Sequence, residues 1–199
     1  MKSILDFYNK NAMELSCKYE SAQMEFIHSL LLKTFPQKSS LLELGCGSGR
    51  DAAFMVSNGF KLTAIDGSAE MIRMALLHHP QLNGFLYKKR IPDELDFAEE
   101  SFDGIYSIAM LMHFSYSELT VIFEKINCMM KKKSKFLFSV SVNRKQDDTE
   151  RYFNKFTKND WIELGKKYNM KILFLHISDD GLGREEIQWF TCIMKKISY

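Results

Sequence analysis

The chain has 199 residues, 46% hydrophobic and 26% charged, with a formal net charge of +2. That is the size and composition of an ordinary globular domain with a real core, and so small a charge imbalance gives no reason to expect nucleic acid or a membrane as partner. Four scattered cysteines, without a CxxC pair or a histidine at ligand spacing, argue against a metal site and a disulfide framework.

Free thiols suit a reducing cytoplasm. The opening MKSILDFYNK lacks the apolar core of a secretory signal, and no apolar run approaches ~20 residues, so we expect a cytoplasmic protein with no membrane span. Apolar residues at Ile4, Leu5, Tyr8, Ala12, Met13 and Leu15 lie near helical spacing. A second, better amphipathic helix is predicted over 18–34, closed by Pro36. Residues 41–44 read as a short buried strand, 48–58 as a helix stopped by Asn58-Gly59, and 61–65 as a strand ending at Asp66. Ser68 is a candidate cap for a helix to His78. Strands follow over 84–88 and 103–110. Ser115 with Glu118 forms a capping box for a helix over 116–130, and 136–142 is a strand. A second capping box, Thr157 with Asp160, opens a helix to 167, and strands over 171–177 and 187–194 close the chain. The basic run Lys131-Lys132-Lys133 with Lys135 is read as a solvated helix end.

Strands alternating with helices imply an α/β doubly wound sheet with helices on both faces. The link between the last two strands, 178–186, has no room for a crossover helix, so the last strand should be antiparallel. The expected architecture is a seven-stranded sheet, mostly parallel, with one reversed strand near an edge. Two N-terminal helices over 1–36 would form a lid on a domain over 37–199.

Three glycines, Gly45, Gly47 and Gly49, stand directly after the first strand and before a helix. Such a loop turns sharply, bares its backbone to a ligand, and points free N–H groups at an anion. The residues that follow, Arg50-Asp51, are not the Lys-Ser/Thr of a P-loop. Asp66, 17 residues beyond Gly49, is placed to hold ribose hydroxyls, which suits a dinucleotide or another adenosyl ligand.

The stretch ELGCGSG over 43–49 resembles the E/DxGxGxG motif of class I S-adenosylmethionine-dependent methyltransferases, which have a Rossmann-like fold. KLTAIDGSAEMI over 61–72 resembles their second strand and its acidic end. EESFDGIYSIAMLMHF over 99–114 resembles their fourth strand, and YNKNAMELSCKYES over 8–21 the N-terminal lid of small bacterial members. The resemblance implies S-adenosyl-L-methionine as cofactor. It implies contacts from Glu43, Gly45, Cys46, Gly47, Gly49 and Arg50 around the loop, from Asp66, Gly67 and Met71 after the second strand, from Met110 after the fourth, and from Tyr8 and Tyr19 in the lid. Two departures stand out. LYKKRIPDEL over 86–95 lacks the usual acidic residue after the third strand, leaving backbone groups, Asp93 or Glu94 for the adenine. KKKSK replaces the usual Pro-Gly-Gly turn before the fifth strand.

Methyl transfer needs the acceptor atom in line with the methyl carbon, and a base only when that atom is protonated. Candidates follow the fourth strand: Met112, His113, Phe114 and Tyr116. His113 is the candidate base, with loop packing as the plain alternative. Phe114 and Arg144 are candidate substrate contacts, with Arg151 and Arg184 as further cations. Trp161 and Trp189 are expected in the core. There is no [DNS]PP[YFW] after the fourth strand and no Pro-Cys nucleophile, which argues against DNA base methylation. The expected enzyme methylates an O or N atom of a small molecule. A tRNA or protein acceptor, a noncatalytic binding protein and a nicotinamide-dependent oxidoreductase are the alternatives, and oligomeric state is left open.

Overall fold

In a computed structural model, describing residues 2–142, 151–154 and 156–197, the alternation becomes a seven-stranded sheet. Its strands are β1 (Ser40–Leu44), β2 (Lys61–Asp66), β3 (Leu86–Lys88), β4 (Phe102–Ile108), β5 (Met130–Ser141), β6 (Met170–Asp179) and β7 (Gln188–Lys196). The helices are α1 (Lys2–Glu20), α2 (Glu25–Thr34), α3 (Arg50–Ser57), α4 (Ala69–His78), α5 (Tyr116–Met129) and α6 (Lys158–Lys167). The order across the sheet is β3-β2-β1-β4-β5-β7-β6; the first five strands are parallel and β7 runs antiparallel to both neighbours. Among the described residues no helix is long and apolar enough to cross a membrane.

Both faces are covered, and the pleat of β5 shows how. Phe136, Phe138 and Val140 point to the face carrying Phe123 of α5 and Trp161 of α6. Leu137 points to the other, with Leu31 of α2 and Met55 of α3. The strand order reverses between β1 and β4, and the loops after these two strands diverge there to leave a crevice at the carboxyl ends of the parallel strands. The predicted caps are all in place: Ser68 accepts from the Met71 N–H, and both capping boxes close with both of their bonds.

Two expectations are corrected. The first helix does not give way to the second near residue 18. α1 runs on to Glu20 and the break falls at 21–24, where the Gln23 N–H donates to the Gly181 carbonyl at 3.0 Å in the β6–β7 connection. That tertiary bond takes a backbone donor the helix would otherwise use. The lysine run is not a helix end either. α5 stops at Met129 because Met130, fully buried, turns extended and pairs with Phe102 of β4, so the lysines belong to the start of β5.

Candidate active site

The crevice is floored by the glycine loop. The Gly45 and Cys46 N–H groups both donate to the Ile65 carbonyl, at 2.8 and 3.0 Å, which ties the loop to the end of β2. Gly45 has φ +76°, and a Cβ there would lie 2.5 Å from Met110 Cγ; position and neighbour both require glycine. Gly47, at φ +54°, differs. A Cβ there would make only ordinary van der Waals contacts, with Met71 Cε at 3.7 Å and Tyr19 Cδ2 at 3.9 Å, so its positive φ rather than a clash is what calls for glycine. Gly49 caps α3 and packs towards Ala75 and Leu82, away from the crevice.

Asp66 stands at the end of β2. Its Oδ2 accepts the Gly47 N–H at 2.9 Å and its Oδ1 the Ser68 N–H at 2.8 Å. Burial pushes its carboxyl up, against the pull of the Ser68, Gly47 and Gly67 N–H groups. The two oxygens together offer about four acceptor positions, more than these N–H groups fill, so acceptor capacity remains for a ligand.

Under the loop lies a charge cluster. Asp51 accepts from Arg50 Nε at 3.1 Å and Nη2 at 2.8 Å and is 2.8 Å from His28 Nε2, whose ring stacks on Phe54. Burial alone would raise the Asp51 carboxyl, but Arg50 and His28 hold it at about 2. Arg50 also donates to the Tyr19 carbonyl, fastening the end of α1. Glu43 is 1% exposed and accepts from the Tyr106 hydroxyl at 3.1 Å. Burial, then the nearby Asp51, push its carboxyl well above the usual range. The side chain lies beneath the loop and is not among the residues that line the crevice.

The roof comes from α1, the 3-10 turn Leu111–His113 and the β6–β7 connection. His113 Nδ1 lies 2.8 Å from the Tyr152 carbonyl and Nε2 lies 3.1 Å from the Tyr8 hydroxyl. A carbonyl only accepts, so Nδ1 carries the proton; in the neutral ring Nε2 then accepts from Tyr8. Burial and the neighbouring Tyr19 push the Tyr8 phenol well up, so it stays a donor. Asn154 pins the turn by donating to the Leu111 and Phe114 carbonyls at 3.3 and 3.2 Å. Arg151 lies over the Phe7 and Phe153 rings, 4.9 and 5.3 Å from their centroids. On the far wall Asp180 accepts from Arg184 Nε and Nη2 at 2.9 and 2.7 Å and from Trp189 Nε1 at 2.7 Å. Burial would raise this carboxyl, but Arg184 and Trp189 hold it at about 2.

Together these walls enclose about 720 Å³, within the range of small-molecule sites. Gly45, Cys46, Gly47, Arg50, Asp66, Gly67, Met71, Met110, Tyr8, Tyr19, His113 and Phe114 all line it, as do Arg151 and Arg184. Glu43 and Gly49 do not, Tyr116 is exposed, and Arg144 lies outside the described residues. Asp93 and Glu94 are turned to Arg90 of their own loop, and only Ile91 of that segment reaches the cavity. Trp161 is core as expected, whereas Trp189 lines the cavity. Asp180 and Phe7 were not legible as site residues. The DDGLGR run over 179–184 marks a turn, and only the docking of that turn on Gln23 brings its acid to the cavity.

A family described as a methyltransferase domain matches residues 18–176. An uncharacterized protein of Methanocaldococcus jannaschii is 29% identical over 163 residues, covering 78% of this chain and 68% of that protein. The ubiquinone biosynthesis O-methyltransferase of Xanthomonas axonopodis pv. citri is 31% identical over 99 residues, covering 48% of this chain and only 37% of that enzyme's length. The Burkholderia thailandensis 1,6-didemethyltoxoflavin-N1-methyltransferase, solved with 1,6-didemethyltoxoflavin and S-adenosylhomocysteine, shares the fold with a TM-score of 0.81 at 16% identity, covering 99% of this chain and 88% of that one.

Proposed function

The chain belongs to the methyltransferase domain family, and on that premise we propose that it moves the methyl group of S-adenosylmethionine to an O or N atom of a small molecule. One observation carries the reading: the bare backbone of Gly47, the Asp66 carboxylate and the His113 ring open into a single cavity. The residues fit the cofactor. Asp66 keeps acceptor capacity beyond its backbone partners, which suits the hydroxyl donors of a ribose. When bound, the sulfonium supplies an electrophilic methyl carbon. The chain's own part is placement and proton handling.

We assign the acceptor's proton to His113. With Nδ1–H fixed on the Tyr152 carbonyl, Nε2 is the basic atom, and an acceptor hydroxyl or amine that displaces the Tyr8 hydroxyl gives up its proton there. Phe114 beside the roof turn, with Trp189 and Leu182 from the far wall, gives the cavity apolar surface for the acceptor's body. Arg184 is matched by Asp180, so it orders the wall rather than presenting an unmatched charge. We read residues 1–36 as a lid on a domain over 37–199, with Tyr8 and Tyr19 over the cofactor.

Calorimetry tests this. S-adenosylmethionine and S-adenosylhomocysteine should bind in the micromolar range and NAD should not. Asp66→Ala should lose roughly 1.5–3 kcal/mol of that affinity, the size of a charge-assisted hydrogen-bonded contact. Failure of both sulfur ligands at millimolar concentration refutes the cofactor assignment. Turnover in a metabolite screen that survives His113→Ala refutes the base.

A further inference from the structure

The lysine run forms a second feature, at the opposite end of the strands. The cavity takes Ile108 and Ser139 from the ends of β4 and β5; a separate groove of about 370 Å³ takes Asp103 and Lys135 from nearer their starts. Lys131, Lys132 and Lys133 line this groove with Lys135.

Three observations converge on it. First, the pairing of β4 with β5 jumps from Phe102–Met130 to Gly104–Lys135, so residues 131–134 leave the ladder as a bulge; Lys133 sits there at φ +64°, a costly conformation for a non-glycine residue. Bulges re-aim side chains, and this one turns three consecutive lysines out of the sheet. Second, Lys135 of β5 lies opposite Lys195 of β7, which lies opposite Lys171 of β6. Like charges directly opposite one another disfavour a sheet, and here they cross three strands in one row about 9.5 Å long. Third, the charge is only partly neutralised internally. Lys131 pairs with Asp103 at 2.7 Å and Lys135 donates to the Thr34 carbonyl at 2.9 Å. Among the described residues none of Lys132, Lys133, Lys171 and Lys195 has a carboxylate within ion-pairing distance.

We propose that this groove and lysine row bind the phosphodiester backbone of a nucleic acid, at a site separate from the methyl-transfer cavity and independent of it. A strand fits a concave, lysine-lined groove, whereas a flat bilayer surface does not enter one. The groove's only aromatic, Phe35, is 2% exposed and offers no platform for base stacking. Binding should therefore follow phosphate charge rather than sequence. The small overall charge gave no sign of this in the sequence; the concentration of lysine at one end of the sheet is a product of the fold.

The test is fluorescence anisotropy of the full chain with a fluorescein-labelled 20-nucleotide mixed-sequence RNA, without cofactor. Four neutralised phosphates give a slope of log affinity on log salt of about −3, a roughly 50-fold loss between 50 and 200 mM KCl. The triple variant Lys132→Glu, Lys133→Glu, Lys171→Glu should bind at least tenfold more weakly at 50 mM while melting no lower than the wild type, since Lys171→Glu sets an opposite charge across from Lys195. A control with the same charge change elsewhere, Lys10→Glu, Lys88→Glu, Lys158→Glu, should keep most of its affinity. No RNA binding at 50 mM overturns the proposal. So does an equal loss in the control, or binding to phosphatidylserine-containing vesicles while RNA fails. Failure of the cofactor assignment would leave all of these outcomes untouched.

Discussion

Replacing Asp51 by asparagine removes the charge that holds the polar cluster under the glycine loop together. In the wild type, Arg50 and His28 hold the Asp51 carboxyl at about 2. Against an unfolded value of ~3.9, that difference stabilises the fold by roughly 2–3 kcal/mol at pH 7. The sign follows from the depression: the contribution is fully present above about pH 4 and is lost as pH falls through about 2. At pH 2.5 less than about 1 kcal/mol remains. Asp51→Asn should therefore lower the stability at pH 7 by about 2–4 kcal/mol, the upper end reflecting a guanidinium left buried with an uncharged partner. For a chain of this length that is a fall in Tm of about 5–15 °C. Urea unfolding followed by circular dichroism, wild type beside variant at pH 7, 4 and 2.5, reads it directly. The gap should close towards the acid end. A gap that stays constant to pH 2.5, or a variant as stable as wild type at pH 7, refutes the account of this cluster.

The remaining expectations concern the loop, the roof and Glu43. Gly45→Ala should destabilise by about 1–3 kcal/mol, because its Cβ meets Met110 and its φ is positive, whereas Gly47→Ala should cost about 1 kcal/mol of backbone strain and still weaken S-adenosylhomocysteine binding by putting a methyl between the loop backbone and the ligand; melting curves with calorimetry separate the two. Tyr8→Phe removes one hydrogen bond to His113 and should cost about 0.5–1.5 kcal/mol, read as melting temperature and as faster proteolysis of α1. Glu43→Gln keeps an acceptor for Tyr106 and removes a charge that burial opposes. A raised carboxyl favours folding only when protonated, so this variant should be more stable than wild type at pH 8. The difference should vanish below about pH 4, and a less stable variant at pH 8 would contradict the burial argument.

The strands and caps were legible because their signals are local. Ser68, Ser115 and Thr157 cap helices through bonds to residues three positions away, and the apolar runs of β1, β4 and β5 need no distant partner to be recognised. The glycine loop and Asp66 were legible because a turn with positive φ and a strand-end carboxylate leave marks in the sequence. Glu43 was legible in part: its motif position is visible, but which way its carboxylate turns depends on Tyr106, 63 residues away.

The sequence by itself determined the order of strands and helices, the reversed final strand and the loop shaped for an adenosyl ligand, since periodicity, capping and glycine are properties of neighbouring residues. Tertiary structure alone decided the rest. It set the break after α1 through the Gln23–Gly181 bond, joined Tyr8 to His113 across 105 positions, and brought Asp180 and Trp189 into the cavity wall. It also gathered Lys135, Lys195 and Lys171 into one row. Each of these rests on which backbones lie side by side, and that is fixed by the burial of both faces of the sheet, a condition no short stretch of the chain contains.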